Sequence, residues 1–100
     1  MDVVSIYFSG LIVHNKSGMV IWMKHSDTYY FDIIRHNIKK YREAANLTQQ
    51  QLADKAGITM NYVAKIESKK MQRGFTIVIL GRIADALEID IRKLFEPLDE

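Results

Sequence analysis

Residues 47–67 read LTQQQLADKAGITMNYVAKIE, and local signals in this stretch encode two short helices joined by a tight turn. Thr48 can cap the first, its hydroxyl accepting from the backbone N–H of Gln51 while the Gln51 side chain reaches back, the reciprocal T-x-x-Q capping box. Leu52, Ala53 and Ala56 then put apolar groups on one side of the helix. Gly57 follows where a helix ends in positive φ, which costs glycine nothing because it has no Cβ. Ile58 supplies a buried contact at the corner, and Thr59 is a second N-cap candidate. Residues 60–67 are again helical, with Val63 and Ile66 three apart and turned inward.

Two helices with this corner form a helix-turn-helix, in which the second helix enters the major groove of DNA. Residues 32–95 also resemble the Cro and phage-repressor class of helix-turn-helix proteins. Arg42, Leu47 to Ala53, Ala56 to Thr59, Val63, Ile66-Glu67, Ile83 to Leu87 and Leu94-Phe95 carry the resemblance. It covers about two thirds of the chain, and its specificity lies in the spaced combination. The resemblance implies a mainly α, compact five-helix domain of the lambda-repressor-like kind. Such domains usually act as dimeric transcriptional regulators.

Composition agrees with one globular domain. The chain has 100 residues, 48% hydrophobic and 26% charged, unlike a disordered segment. It has no cysteine, so it can form neither disulfides nor a thiolate metal site, in keeping with a reducing cytoplasm. The net charge of +2 is unevenly spread. Between residues 35 and 73, nine basic residues face three acidic ones; between 85 and 100, six acids outnumber Arg92 and Lys93. Two solvated faces would look the same, but the basic stretch coincides with the helix-turn-helix, which suits a face meeting polyphosphate.

Upstream of the motif, residues 29–45 read as the first helix of the domain. Phe31, Ile34, Ile38, Tyr41 and Ala45 form an inward stripe, and Arg35, Lys39 and Lys40 an outer face. Asp27 or Thr28 can cap it, Asp32 lies near its positive end, and Asn46 stands where a left-handed residue is wanted. Downstream comes a basic loop, Ser-Lys-Lys-Met-Gln-Arg-Gly-Phe from residue 68. Its Lys69 replaces a glycine usual in the family, and the loop is about two residues longer than usual. Thr76 can cap a fourth helix with Ile77, Leu80, Ile83, Ala84 and Leu87 inward, while Val78 and Ile79 could face core or partner. Gly81 costs this helix ~1 kcal/mol relative to alanine unless it permits close helix approach. Asp90 can cap a short last helix that Pro97 stops.

Residues 1–26 lie outside the resemblance. Apolar runs at 3–8, 11–13 and 19–22, with Asn-Lys-Ser-Gly between the last two, fit a β-hairpin arm. Breaks at Ser9-Gly10 and 14–18 exclude a membrane span of ~20 apolar residues, and Asp2 argues against a secretory signal. Two readings stay open. The segment is an arm pairing across a dimer, which its apolar content favours, or the natural start is Met23. The expected division is 1–26 arm, 27–96 DNA-binding domain and 97–100 acidic tail.

The second helix of the motif exposes Thr59, Met60, Asn61, Tyr62 and Lys65. Asn61 can pair with adenine N6 and N7 and Lys65 can donate to guanine, while Met60 and Tyr62 can cover a thymine methyl or the sugar-phosphate edge. Thr59, at the helix N-terminus, and Lys69, Lys70 and Arg73 in the basic loop suit phosphate. By resemblance, Gln49 holds the family's phosphate-contacting position, and Arg42 and Glu67 match an ion pair joining the first helix to the third. An enzyme finds no support: His14, His25 and His36 lack metal-ligand spacing, and no phosphate loop or nucleophile motif occurs. The expectation is a cytoplasmic regulator, homodimeric on double-stranded DNA, with no cofactor, metal, membrane or small-molecule ligand. The rival is an antitoxin-like interaction module that holds a protein through its apolar arm, whose binding salt would weaken far less.

Overall fold

The structure is a computed structural model and describes residues 11–14, 20–23, 25, 28–69 and 74–98. Strands β1 (Leu11–His14) and β2 (Val20–Met23) pair antiparallel, Leu11 opposite Met23 and His14 opposite Val20. Four α-helices follow: α1 (Tyr29–Ala44), α2 (Gln49–Ala56), α3 (Met60–Glu67) and α4 (Ile77–Leu87). A 3-10 helix, Ile91–Phe95, closes the described part.

Caps set the helix boundaries. Thr48 and Gln51 form the reciprocal capping box, with Oγ1 accepting from Gln51 N at 3.0 Å and Oε1 accepting from Thr48 N at 2.8 Å. Thr59 and Thr76 cap α3 and α4 one way only, each hydroxyl accepting from the backbone N–H three residues on. Gly57 takes φ +71° and Asn46 φ +58°, so each helix before them ends in a left-handed residue. At the start of α1 the cap differs: Thr28 sits at the N-cap position but makes no side-chain cap bond, and Asp27 lies outside the described residues.

The helices enclose one core. Ile38, Leu52, Ile83 and Leu94 are fully buried, with Val63 and Ile66 of α3 set against them. Burying each such aliphatic side chain contributes roughly 1.5–3 kcal/mol, so their placement fixes how α3 sits on α1, α2 and α4. Ile77 is an exception among the expected inward residues. The stripe on α4 centres on Leu80, Ile83, Ala84 and Leu87, and Ile77, at its edge in the capped first turn, stays 65% exposed. Ile79 packs on the core instead, and Val78 faces out. A Cβ on Gly81 would meet nothing within 4 Å, so no helix approaches closely there.

The outer face of α1 also departs from expectation. Arg35 is buried, its guanidinium 3.6 Å from the Asp32 carboxylate, as an arginine can be when its long aliphatic stem is covered. Ala45 is exposed, as the C-cap residue just past the last helical turn. Asn37 is buried and donates from Nδ2 to the carbonyls of Leu94 and Glu96, both at 2.9 Å. Tyr41 donates to the Glu96 carboxylate, which raises the tyrosine pKa from its ordinary value.

The last segment is 3-10 rather than α-helical. Only six residues separate Asp90 from Pro97, and the residue before a proline avoids the helical region, so a short, tighter helix fits the space. Asp90 caps it, accepting from Arg92 N at 2.9 Å. The Arg92 guanidinium on the same carboxylate lowers the Asp90 pKa to about 2.

Candidate nucleic-acid interface

The N-terminal half of α3 projects from the body because Val63 and Ile66, on its other side, are anchored in the core. Met60, Asn61 and Lys65 are exposed on the free side, with Met60 at 45%. Tyr62 is half-buried and packs against the core, leaving part of its ring at the surface. The Thr59 hydroxyl accepts from Tyr62 N at 3.1 Å, so it is engaged as a cap. This surface offers an amide, an ammonium and an apolar thioether along one side of the helix, the groups that read base edges and thymine methyls.

Behind it, one carboxylate joins three elements. Glu67, the last residue of α3, has a side chain only 4% exposed. Arg42 of α1 donates to it twice, Nε to Oε2 at 2.7 Å and Nη2 to Oε1 at 2.9 Å. This carboxylate contact is the chief reason the Arg42 pKa is raised. The third guanidinium nitrogen, Nη1, donates to the Leu47 carbonyl at 2.8 Å, which fixes the entry to α2. Gln49, the first residue of α2, donates from Nε2 to Glu67 Oε1 at 3.1 Å. The planar guanidinium matches the carboxylate plane, which makes the joint directional as well as electrostatic.

Other positions singled out in the sequence fall as follows. Lys69 is exposed just past α3. Lys70 and Arg73 lie outside the described residues. The Gln49–Glu67 bond was absent from the sequence reading, since neither residue's local pattern announces a partner eighteen positions away. Also missed was the group of α1 side chains, Arg35, His36 and Lys39, which shares a concavity with Glu67 and Lys69. Among the described residues no group of three or more His, Asp or Glu is placed to hold a metal ion. No described helix is long and apolar enough to cross a membrane.

Comparison with known proteins places this geometry in context. The profile of the helix-turn-helix family matches residues 38–94. The chain is 35% identical over 63 residues to the control protein C.SmaI of Serratia marcescens, an alignment covering 63% of this chain and 73% of that protein. It is 29% identical over 68 residues to the HTH-type transcriptional regulator SinR of Bacillus licheniformis, covering 68% of this chain and 60% of SinR. Among solved structures, C.Esp1396I bound to a 25 base pair operator site superposes with a TM-score of 0.62. That match has 29% identity and covers 69% of this chain and 88% of that one. With more than half its length inside the family profile, and with the capped helices, left-handed glycine corner and projecting second helix in place, the chain belongs to the helix-turn-helix family.

Proposed function

We propose that this protein is a sequence-specific DNA-binding transcriptional regulator, acting in the cytoplasm as a homodimer on a two-fold operator and catalysing no reaction. The observation that carries this reading is the exposed N-terminal half of α3, held rigidly from behind by Arg42 and Glu67. Relatives give it support: a control protein, a transcriptional regulator and an operator-bound controller share this part of the chain.

In this reading α3 lies in the major groove. Asn61 pairs with an adenine edge, Lys65 donates to guanine, and Met60 and Tyr62 cover a thymine methyl or the sugar edge. Phosphates flanking the groove meet the N-terminus of α2 at Gln49, Thr59 at the head of α3, and the basic side chains of Lys69, Lys70 and Arg73. Gln49 commits one Nε2 hydrogen to Glu67 and keeps the other for phosphate. The DNA-binding domain spans 27–96, with the 3-10 segment standing in for the fifth helix and 97–100 as an acidic tail. Residues 1–26 form an arm built on β1 and β2. A two-stranded sheet alone is marginal, so the arm is stabilised against the second subunit.

Asn61→Ala and Lys65→Ala test the assignment of α3. Both residues are exposed, so each variant should keep its fold and lose ~1–3 kcal/mol of discrimination between operator and random DNA. Competition binding measures this. Full discrimination in both variants would take α3 out of base reading.

A further inference from the structure

Between α1 and the end of α3 lies a concavity lined by Asp32, Arg35, His36 and Lys39 on one side and by Glu67 and Lys69 on the other. Its charges are only partly compensated. The Arg35 side chain in this lining is nine-tenths buried, 3.6 Å from Asp32. Glu67 is already matched by Arg42 from behind. Lys39 and Lys69 remain, both exposed and outside every ion pair among the described residues, together with the exposed His36. The rim of the concavity is therefore cationic.

Its position gives this charge a use. Glu67 lines the concavity and also accepts the hydrogen bond from Gln49 at 3.1 Å, so the concavity adjoins the N-terminus of α2. A nucleic-acid strand is a row of anions spaced about 3.4 Å apart along the duplex axis. A strand that meets Gln49 and runs on past Glu67 would bring its neighbouring phosphate toward the Lys39–Lys69 rim. We propose that this concavity is a second phosphodiester site, in which Lys39, His36 and Lys69 hold the phosphate next to the one at Gln49. The proposal rests on the DNA-binding reading above. A free anion is the poorer occupant, because two carboxylates lie within the lining and the lysines are exposed. A phosphate delivered by a strand already held elsewhere needs no such enclosure, since its binding is effectively intramolecular. The site reads no base. It fixes the register of the domain on the duplex and adds affinity that salt weakens.

Lys40 provides the control. It is the next residue on α1 and equally exposed, but it lies over the Tyr41 ring at 5.2 Å and is not part of the lining. Operator binding by Lys39→Gln and Lys40→Gln is followed by fluorescence anisotropy as salt rises from ~50 to ~200 mM. Loss of one phosphate contact lowers the salt slope by ~0.9, so the affinity ratio of wild type to Lys39→Gln should shrink about 3.5-fold over that range. Operator preference over random DNA should be unchanged in Lys39→Gln, and Lys40→Gln should keep the wild-type slope. Equal slope changes in both variants, or none in Lys39→Gln, would overturn the site while leaving DNA binding by the wild type intact. A wild type that binds no duplex at any salt would instead remove the DNA-binding reading and the site with it. A separate arm titrates the protein alone with millimolar inorganic phosphate, following the His36 ring protons by NMR. No saturable shift is expected; a saturable one would reassign the site to free anions.

Discussion

Replacing Arg42 with alanine removes three donors at once: two on Glu67 and one on the Leu47 carbonyl. The Glu67 side chain, 4% exposed, is left with Gln49 as its remaining donor among the described residues. Taking one partner from a buried ion pair costs roughly 3–5 kcal/mol, chiefly because the other charge is stranded. Here the lower end applies, ~3 kcal/mol, because Arg42 keeps 12% of its side chain in solvent and Gln49 still donates. For a domain of this size that lowers the melting temperature by roughly 12–24 °C. Lys39→Ala and Lys40→Ala, on the exposed side of the same helix, should stay within ~0.5 kcal/mol of wild type. Urea denaturation followed by circular dichroism at constant salt compares the three. A companion variant, Arg42→Met with Glu67→Leu, should recover the part of the loss due to the stranded charge, though not the hydrogen bonds to the Leu47 carbonyl and from Gln49. If Arg42→Ala melts with the two lysine variants, the pair carries no structural load and the argument fails.

Three other outcomes are expected. Asn37→Ala should cost about 1–3 kcal/mol, because it leaves the Leu94 and Glu96 carbonyls without the donor they share; a stability equal to wild type would show that water replaces the amide. Asp90 has a folded pKa of about 2 against an ordinary 3.8, so its contribution is complete above pH ~4 and is lost as pH falls toward 2. Carbon-detected NMR of its carboxyl should titrate in that window, and Asp90→Asn should flatten the acid limb of the stability curve; a carboxyl titrating at its ordinary value contradicts the Arg92 contact. Deleting residues 1–22 should leave the helical domain folded but shift it toward monomer and weaken operator binding, whereas sedimentation of an unchanged dimer would make the arm dispensable.

What was legible in the sequence was local. The Thr48–Gln51 box, the Thr59 and Thr76 caps, the left-handed Gly57 and Asn46 and the inward Val63 and Ile66 each follow from residues within a turn of one another. That was enough to set which side of α3 is free. What escaped notice depends on distant partners. Asn37 is polar in the middle of an amphipathic helix, and its acceptors lie 57 and 59 residues downstream. Arg35 looked like an outer charge because periodicity counts apolar groups and ignores the stem of an arginine. Ile77, expected inward, is exposed, and Ile79, left open between core and partner, packs on the core, because both flank the α4 stripe and only the packed body decides which flank is covered. Glu88 takes φ +56° at the end of α4, a place where glycine or asparagine would have announced the turn.

The joint at Glu67 also bears on how long a complex lasts. Because α1, α2 and α3 meet at this carboxylate in the free protein, the ordering of the reading helix is complete before any duplex arrives. Encounter then requires orientation and charge attraction but no rearrangement, and both are nearly the same for every DNA sequence. Cognate and random sites are accordingly met at similar rates. Under the proposed reading they part in dissociation, where Asn61 and Lys65 on their rigid mount would either find base edges and delay release or not.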